Sequence, residues 1–221
     1  MTEYLRPSVG TAALAVLRAA GFEPEVVGGR AERACCGLTT FSTGQLKRTR
    51  AELTRTAAVL DPYLQAGIPV VGLEPSCLAM LRGDAESLIG RRLPVSTLAE
   101  FLAEHAPGWR PPSLAGVTVV TQPHCHHRAV MGYDTDRALL ERAGAEVVAV
   151  GGCCGLAGDF GMTAGKADIS RKVAATALLP ALDARPANSI VQADGYSCHV
   201  QIAELRGEQA PHLAEVLASR L

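Results

Sequence analysis

Short apolar runs alternate with stretches of helical periodicity along the chain, the pattern of βα units that build a parallel sheet covered by helices. The second half shows it best. Strands are predicted at 117–121, 146–150 and 189–193, with helices over about 128–143 and 164–182 and from Ser197 onward. In the first half a helical pattern ends at Leu17-Arg18-Ala19-Ala20-Gly21, and an apolar run covers Ile68 to Leu73. The expected fold class is α/β.

The halves repeat one order of signals, which makes the chain an internal repeat. Leu17 to Gly21, Cys35-Cys36-Gly37-Leu38, the run Ile68 to Leu73 and Pro75-Ser76-Cys77 form the first series. Leu140-Glu141-Arg142-Ala143-Gly144, Cys153-Cys154-Gly155-Leu156, Ser189 to Ala193 and Tyr196-Ser197-Cys198 form the second. Leu98 to Leu102 likewise matches Leu213 to Leu217, and Trp109-Arg110-Pro111-Pro112-Ser113, with two helix-forbidding prolines, reads as the linker. We therefore expect two βα repeats related by a pseudo-twofold axis, 1–108 and 109–221, each with a parallel sheet. The first lacks a counterpart of the strand at 117–121, and placing Gly21 on Gly144 sets Thr2 against Cys125. A sheet missing a strand exposes apolar face and unpaired backbone, so the expectation is a fragment, or a chain that another segment completes.

Composition narrows the class. The 221 residues are 48% hydrophobic, ample for a buried core. Lys and Arg number 21 against 22 Asp and Glu, and aromatic residues make up 4%, so neither a phosphate-binding surface nor base-stacking platforms are present and no nucleic-acid partner is expected. No apolar run approaches the roughly 18 residues that span a bilayer, and Met1 to Pro7 does not read as a signal peptide. A cytoplasmic location follows, with any contact to the inner face of the membrane arranged through a partner. Seven cysteines, an odd number that includes two adjacent pairs, suit ligands better than a disulfide framework.

Cys125, the Cys153-Cys154 pair and Cys198 each follow the carboxyl end of a predicted strand, the edge where open α/β sheets gather ligand sites. Four thiolates there can hold zinc or an iron–sulfur cluster. The adjacent pair can share a site only if the backbone turns, which Gly151, Gly152 and Gly155 permit. The alternative for any single cysteine is a place in the core. Cys35, Cys36 and Cys77 form a second, weaker set, able to take zinc with Glu74 or a water as fourth ligand, or to stay reduced and empty. His124, His126, His127 and His199 accompany the second set; His126 and His127 are the candidates for contact with a cofactor, and a solvent-facing role at a helix start is the alternative. Gly158-Asp159-Phe160-Gly161 reads as a closing loop whose Asp159 orients a histidine or caps the next helix, while His105 and His212 read as ordinary helix-end residues. Gly-rich phosphate loops and Gly-x-Ser-x-Gly are absent, and one thiol nucleophile at Cys125 leaves the other cysteines unexplained.

Two copies of Cys-Cys-Gly, each followed about forty residues later by another cysteine, resemble the cysteine-rich CCG domain pair of heterodisulfide reductase, the glycolate oxidase iron–sulfur subunit and the L-lactate-oxidation proteins. More closely, Thr2-Glu3-Tyr4, Gly72 to Cys77, His124-Cys125-His126-His127, Gly152 to Gly155 and Asp194 to Cys198 resemble the C-terminal part of FAD-linked iron–sulfur oxidases of the D-lactate and D-2-hydroxyacid dehydrogenase type. The resemblance implies an electron-transfer module with an iron–sulfur cluster, such as 4Fe-4S, or zinc. It also implies FAD on a partner flavin domain, a ferredoxin-like domain or subunit, and an electron acceptor. The family pattern ends each repeat in Cys-x-x-Cys, where this chain has Glu74 and Gly195 in the first position, so a five-cysteine non-cubane cluster is not expected. Four cysteines remain for a cluster or zinc. Without the flavin domain and the ferredoxin cysteine run, this chain alone is not expected to oxidise a hydroxyacid. A zinc-stabilised docking module and a thiol–disulfide enzyme are the alternative functions.

Overall fold

The computed structural model describes residues 4–27 and 34–221, so Thr2, set against Cys125 by the repeat, lies outside the described residues. The first half runs α1 (Pro7–Ala19), α2 (Leu38–Ser42), α3 (Leu46–Gln65), β1 (Val70–Val71), α4 (Pro75–Ala79), α5 (Ala85–Ile89), β2 (Val95–Ser96) and α6 (Leu98–His105). The second runs β3 (Thr118–Thr121), α7 (Asp134–Arg142), β4 (Glu146–Ala149), α8 (Ala167–Ala174), α9 (Leu178–Asp183), β5 (Ile190–Gln192), α10 (Tyr196–Arg206) and α11 (Leu213–Ala218). The fold is α/β, with parallel strands throughout.

Local chemistry sets the ends of these elements. Pro7 opens α1 at a position whose N–H has no helical acceptor, and Val9, Ala12, Ala13, Val16 and Leu17 give it one buried stripe. Gly21 and Gly144, both at φ +91°, turn the chain out of α1 and α7. Thr97 and Glu100 form a reciprocal capping box on α6. Two expected helices are broken. Instead of one helix over 128–143, a π-helical turn His127–Met131 is separated from α7 by Gly132 at φ +78°. The expected helix over 164–182 splits into α8 and α9, because Pro180 in the first turn of α9 lacks the N–H that a continuing helix needs.

In the second half β3 is central, with β4 and β5 on either side in the order β4-β3-β5. Val119 pairs with Val147 on one side and Ile190 on the other. In the first half β1 pairs with β2, Val70 against Val95, and among the described residues no strand stands where β3 stands in the second half. Past these strands both halves make the same closing bond: Gly72 N–H donates to Ser96 O at 2.9 Å, and Ala193 N–H to Pro211 O at 3.0 Å.

The helices cross between halves. α1 packs on α11 and α6 on α7, so one apolar cluster draws Val16 and Leu17, Leu98 and Leu102, Val119, Leu139 and Leu140, and Leu213 and Leu217 into a common core. Two further clusters lie one in each half, around Leu53, Leu78 and Leu93, and around Val120, Leu178 and Ile202. Cys154 and Cys198 are members of the second of these. Among the described residues no helix is long and apolar enough to cross a membrane.

Candidate metal centre

Cysteine follows the carboxyl end of each of β3, β4 and β5: Cys125 and the Cys153-Cys154 pair in the connections after β3 and β4, and Cys198 in the first turn of α10 after β5. The loop after β4 turns because its glycines admit no side chain. A Cβ on Gly155, which sits at φ +92°, would lie 2.2 Å from Ser170 O, and one on Gly152 would lie 2.6 Å from the Ala177 Cβ. That turn sets Cys153 and Cys154 to different tasks. Cys153 Sγ lies 3.5 Å from Cys125 Sγ and accepts from Gly155 N–H at 3.3 Å. Cys154 packs with Cys198 in one buried cluster, and these two are 2% and 0% exposed whereas Cys125 is open to solvent.

The sulfurs have unequal acidities. The Cys198 thiol holds the Cys154 thiol down at about 6, against the effect of burial, and backbone N–H groups of Leu156 and Ala157 add to the same result. Cys198, as donor to that sulfur and buried, is pushed far up. Burial first and Cys153 second raise Cys125 to about 11.

The first half has a matching pair, half-buried. Cys36 Sγ lies 3.0 Å from Cys77 Sγ, and the hydrogen bond between them lowers the Cys36 thiol while raising Cys77, with burial adding to the latter. Cys35 turns away. Its backbone is held by Thr56 Oγ1 on α3 at 2.9 and 2.8 Å, and its exposed sulfur lies 3.9 Å from Glu52 Oε2.

The histidines divide by burial. His126 is exposed, its ring edge-on to His124 at 5.2 Å between centroids. His124 is buried and kept neutral, its pKa lowered to about 4 by burial and then by its histidine neighbours, and its Nδ1 accepts from His126 N–H at 3.2 Å. His127 points into the core, with Nε2 3.1 Å from Asp136 Oδ2 and its ring against Tyr133. Burial opposes its charge, yet Asp136 outweighs burial and its pKa is raised. His199 Nδ1 lies 2.9 Å from Ala210 O. The Asp159 side chain makes no capping bond to the short 3₁₀ turn Phe160–Met162 that follows it.

Several buried polar groups make contacts that no local signal predicts; Glu74, a candidate fourth ligand by sequence, is among them. Asp136 and Asp194 lie with His127 so that one ligand atom from each falls within 4.8 Å of the others. Glu74, 9% exposed, accepts from Tyr196 N–H at 3.0 Å across the two halves. His212 is more than a helix end: besides capping α11, its Nε2 donates to Leu73 O at 2.9 Å. Only a spacing signal could have found these residues, since Glu74 and Asp194 both stand just before a cysteine-bearing helix.

A parallel α/β sheet with cysteines gathered at its carboxyl edge defines a cysteine-rich domain built for soft ligands. Its sequence is matched over residues 1–82 and 119–203 by the model of the CCG cysteine-rich domain, and the chain belongs to that family. It is 27% identical over 180 residues to D-2-hydroxyglutarate dehydrogenase of Escherichia coli, a stretch covering 79% of this chain and 18% of that protein. Similarity to the Pseudomonas putida dehydrogenase of the same name is 27% over 172 residues, 74% of this chain and 16% of that one. A fumarate reductase (CoM/CoB) subunit of Methanothermobacter marburgensis is 29% identical over 178 residues, 78% of this chain and 34% of that polypeptide. The chain thus spans less than a fifth of these dehydrogenases and about a third of the reductase subunit.

Proposed function

We propose that Cys125, Cys153, Cys154 and Cys198 hold an iron–sulfur cluster of the 4Fe-4S type and that the chain is an electron-transfer module of an FAD-linked 2-hydroxyacid oxidoreductase. The observation that carries this reading is the gathering of four cysteines at one sheet edge, with Cys125 Sγ and Cys153 Sγ 3.5 Å apart and Cys154 and Cys198 buried together in one cluster. A cluster bound there supplies one-electron chemistry. The protein's part is to hold and charge the ligands. Cys154 and Cys198 form the buried floor, Cys125 and Cys153 the solvent side, and the Leu156 and Ala157 amides stabilise the negative sulfur that a metal requires. His126, exposed beside Cys125, is placed to meet an acceptor, and neutral His124 adds no charge below it.

In this reading the repeats divide at 108/109, and flavin-binding and ferredoxin-like domains or subunits supply the FAD and the electrons. Any membrane contact is peripheral and made through such a partner. The relatives named for D-2-hydroxyglutarate support a D-2-hydroxyacid as the substrate of the whole assembly. The 3.5 Å between Cys125 and Cys153 favours a second reading, because thiolates around one zinc ion lie about that far apart at Zn–S near 2.3 Å. The readings separate on reconstitution. Reduced protein supplied anaerobically with ferrous iron and sulfide is expected to develop visible cluster absorption that bleaches with dithionite and is lost in Cys198→Ser; a colourless protein that retains zinc overturns the proposal.

A further inference from the structure

Helix α10 carries Cys198 in its first turn and begins with a defect. Its N-cap is Gly195, which offers no side chain to the free N–H groups of that turn. No other residue fits there. A Cβ on Gly195 would lie 2.3 Å from Cδ2 and 2.8 Å from Cγ of His124, whose buried ring fills the space. The acceptor must therefore come from elsewhere in the chain.

It comes from the other half. Glu74 is the N-cap residue of α4, the helix that carries Cys77, but its side chain makes no capping bond to α4. Oε1 accepts from Ser76 Oγ at 2.6 Å, and Oε2 reaches across to the first N–H of α10, that of Tyr196, at 3.0 Å. A carboxylate at a helix N-terminus also meets the positive end of the helix dipole. A second link runs the other way, from His212 Nε2 to the carbonyl of Leu73. Asp194, just before the Gly195 turn, is fixed in turn by Leu213 N–H at 2.7 Å. Arg6, the cation lining the same small cavity, is paired with Glu215, which leaves the Glu74 carboxylate to the helix.

We propose that Glu74 is a positioning residue for the second cysteine set: it caps α10 from the opposite half of the chain and so fixes the turn that presents Cys198. The inference rests on the reading that Cys198 belongs to a ligand site, and on the observation that the N-cap residue of one cysteine-bearing helix, α4, gives its side chain to the first N–H of the other, α10.

The test compares Glu74→Ala with Glu74→Gln, which keeps an acceptor oxygen. In the reduced, metal-free full chain, amide hydrogen exchange at Tyr196 is expected to quicken about tenfold in Glu74→Ala and to return close to the parent rate in Glu74→Gln, with Thr118–Thr121 unchanged. With Co(II) as probe, Glu74→Ala is expected to shift or weaken the thiolate-to-cobalt absorption, and Glu74→Gln to restore it. Unchanged exchange at Tyr196 in Glu74→Ala overturns the proposal, as does equal acceleration in β3 or failure of Glu74→Gln to rescue. Absence of the cobalt band from the parent protein counts against the metal site itself, and the exchange data then decide the role of Glu74.

Discussion

The two cysteine sets start from the same kind of cysteine pair, buried in the second half and half-buried in the first, and diverge around it. Cys36 with Cys77, and Cys154 with Cys198, each join a cysteine of the Cys-Cys-Gly turn to one in the first turn of a helix, and each splits into a more acidic and a less acidic thiol. What differs is the third direction. In the second half the loop after β3 brings Cys125 to Cys153, whereas in the first half Cys35 is turned to α3 and Glu52. The difference teaches that the pair is common to both halves, while the connection after β3 adds a further thiol beside it in the second half alone.

Six substitutions break or sharpen this comparison, taken from the largest expected effect to the smallest. Gly155→Ala places a methyl group against the Ser170 carbonyl in a backbone conformation that side chains avoid. It should cost about 3 kcal/mol or more in denaturant unfolding and abolish ligand binding in the second half. Gly37→Ala, whose Cβ comes nearest to the Thr49 Cγ2 methyl at 3.1 Å and to no backbone atom closer than 3.5 Å, should cost less.

His124 comes next, through pH. Its folded pKa of about 4 lies below the ordinary histidine value, so the folded state binds fewer protons than the unfolded one as pH falls. The stabilisation is complete above about pH 6.5 and is lost as pH drops through about 4, a swing of about 3 kcal/mol. Chemical denaturation across that range should show the slope in the parent and a flatter one in His124→Asn.

Cys198→Ala should raise the Cys154 thiol from about 6 toward its ordinary value by removing its main donor. Thiolate absorbance in the ultraviolet, titrated on reduced metal-free protein, checks this; Cys77→Ala should move the Cys36 thiol in the same direction and leave Cys154 alone. Smallest is Cys35→Ser. The exposed sulfur meets Glu52 weakly, so stability should change by less than about 0.5 kcal/mol and metal content not at all.

Much of the architecture was legible because apolar runs flanked by glycine report strands with little ambiguity: β3, β4 and β5 fall inside their expected ranges, each shorter by one or two residues. The helices over 128–143 and 164–182 were overdrawn, since periodicity does not register a left-handed Gly132 or the missing N–H of Pro180 as breaks. At the site, cysteines announce themselves by type and spacing. The residues that support them do not. Asp136, Asp194, Glu74 and His212 act through contacts between segments far apart in sequence, and nothing local distinguishes a buried capping glutamate from a surface one. His127 shows the converse, a residue flagged by its place beside Cys125 whose Nε2 is engaged by Asp136 in the core.

The most direct measurement of the central claim is iron, zinc and acid-labile sulfide per chain in anaerobically purified protein, made alongside Cys153→Ser. The account predicts iron and sulfide in nearly equal amounts, lost in the variant. Zinc without sulfide, or iron that survives the loss of Cys153, would contradict it.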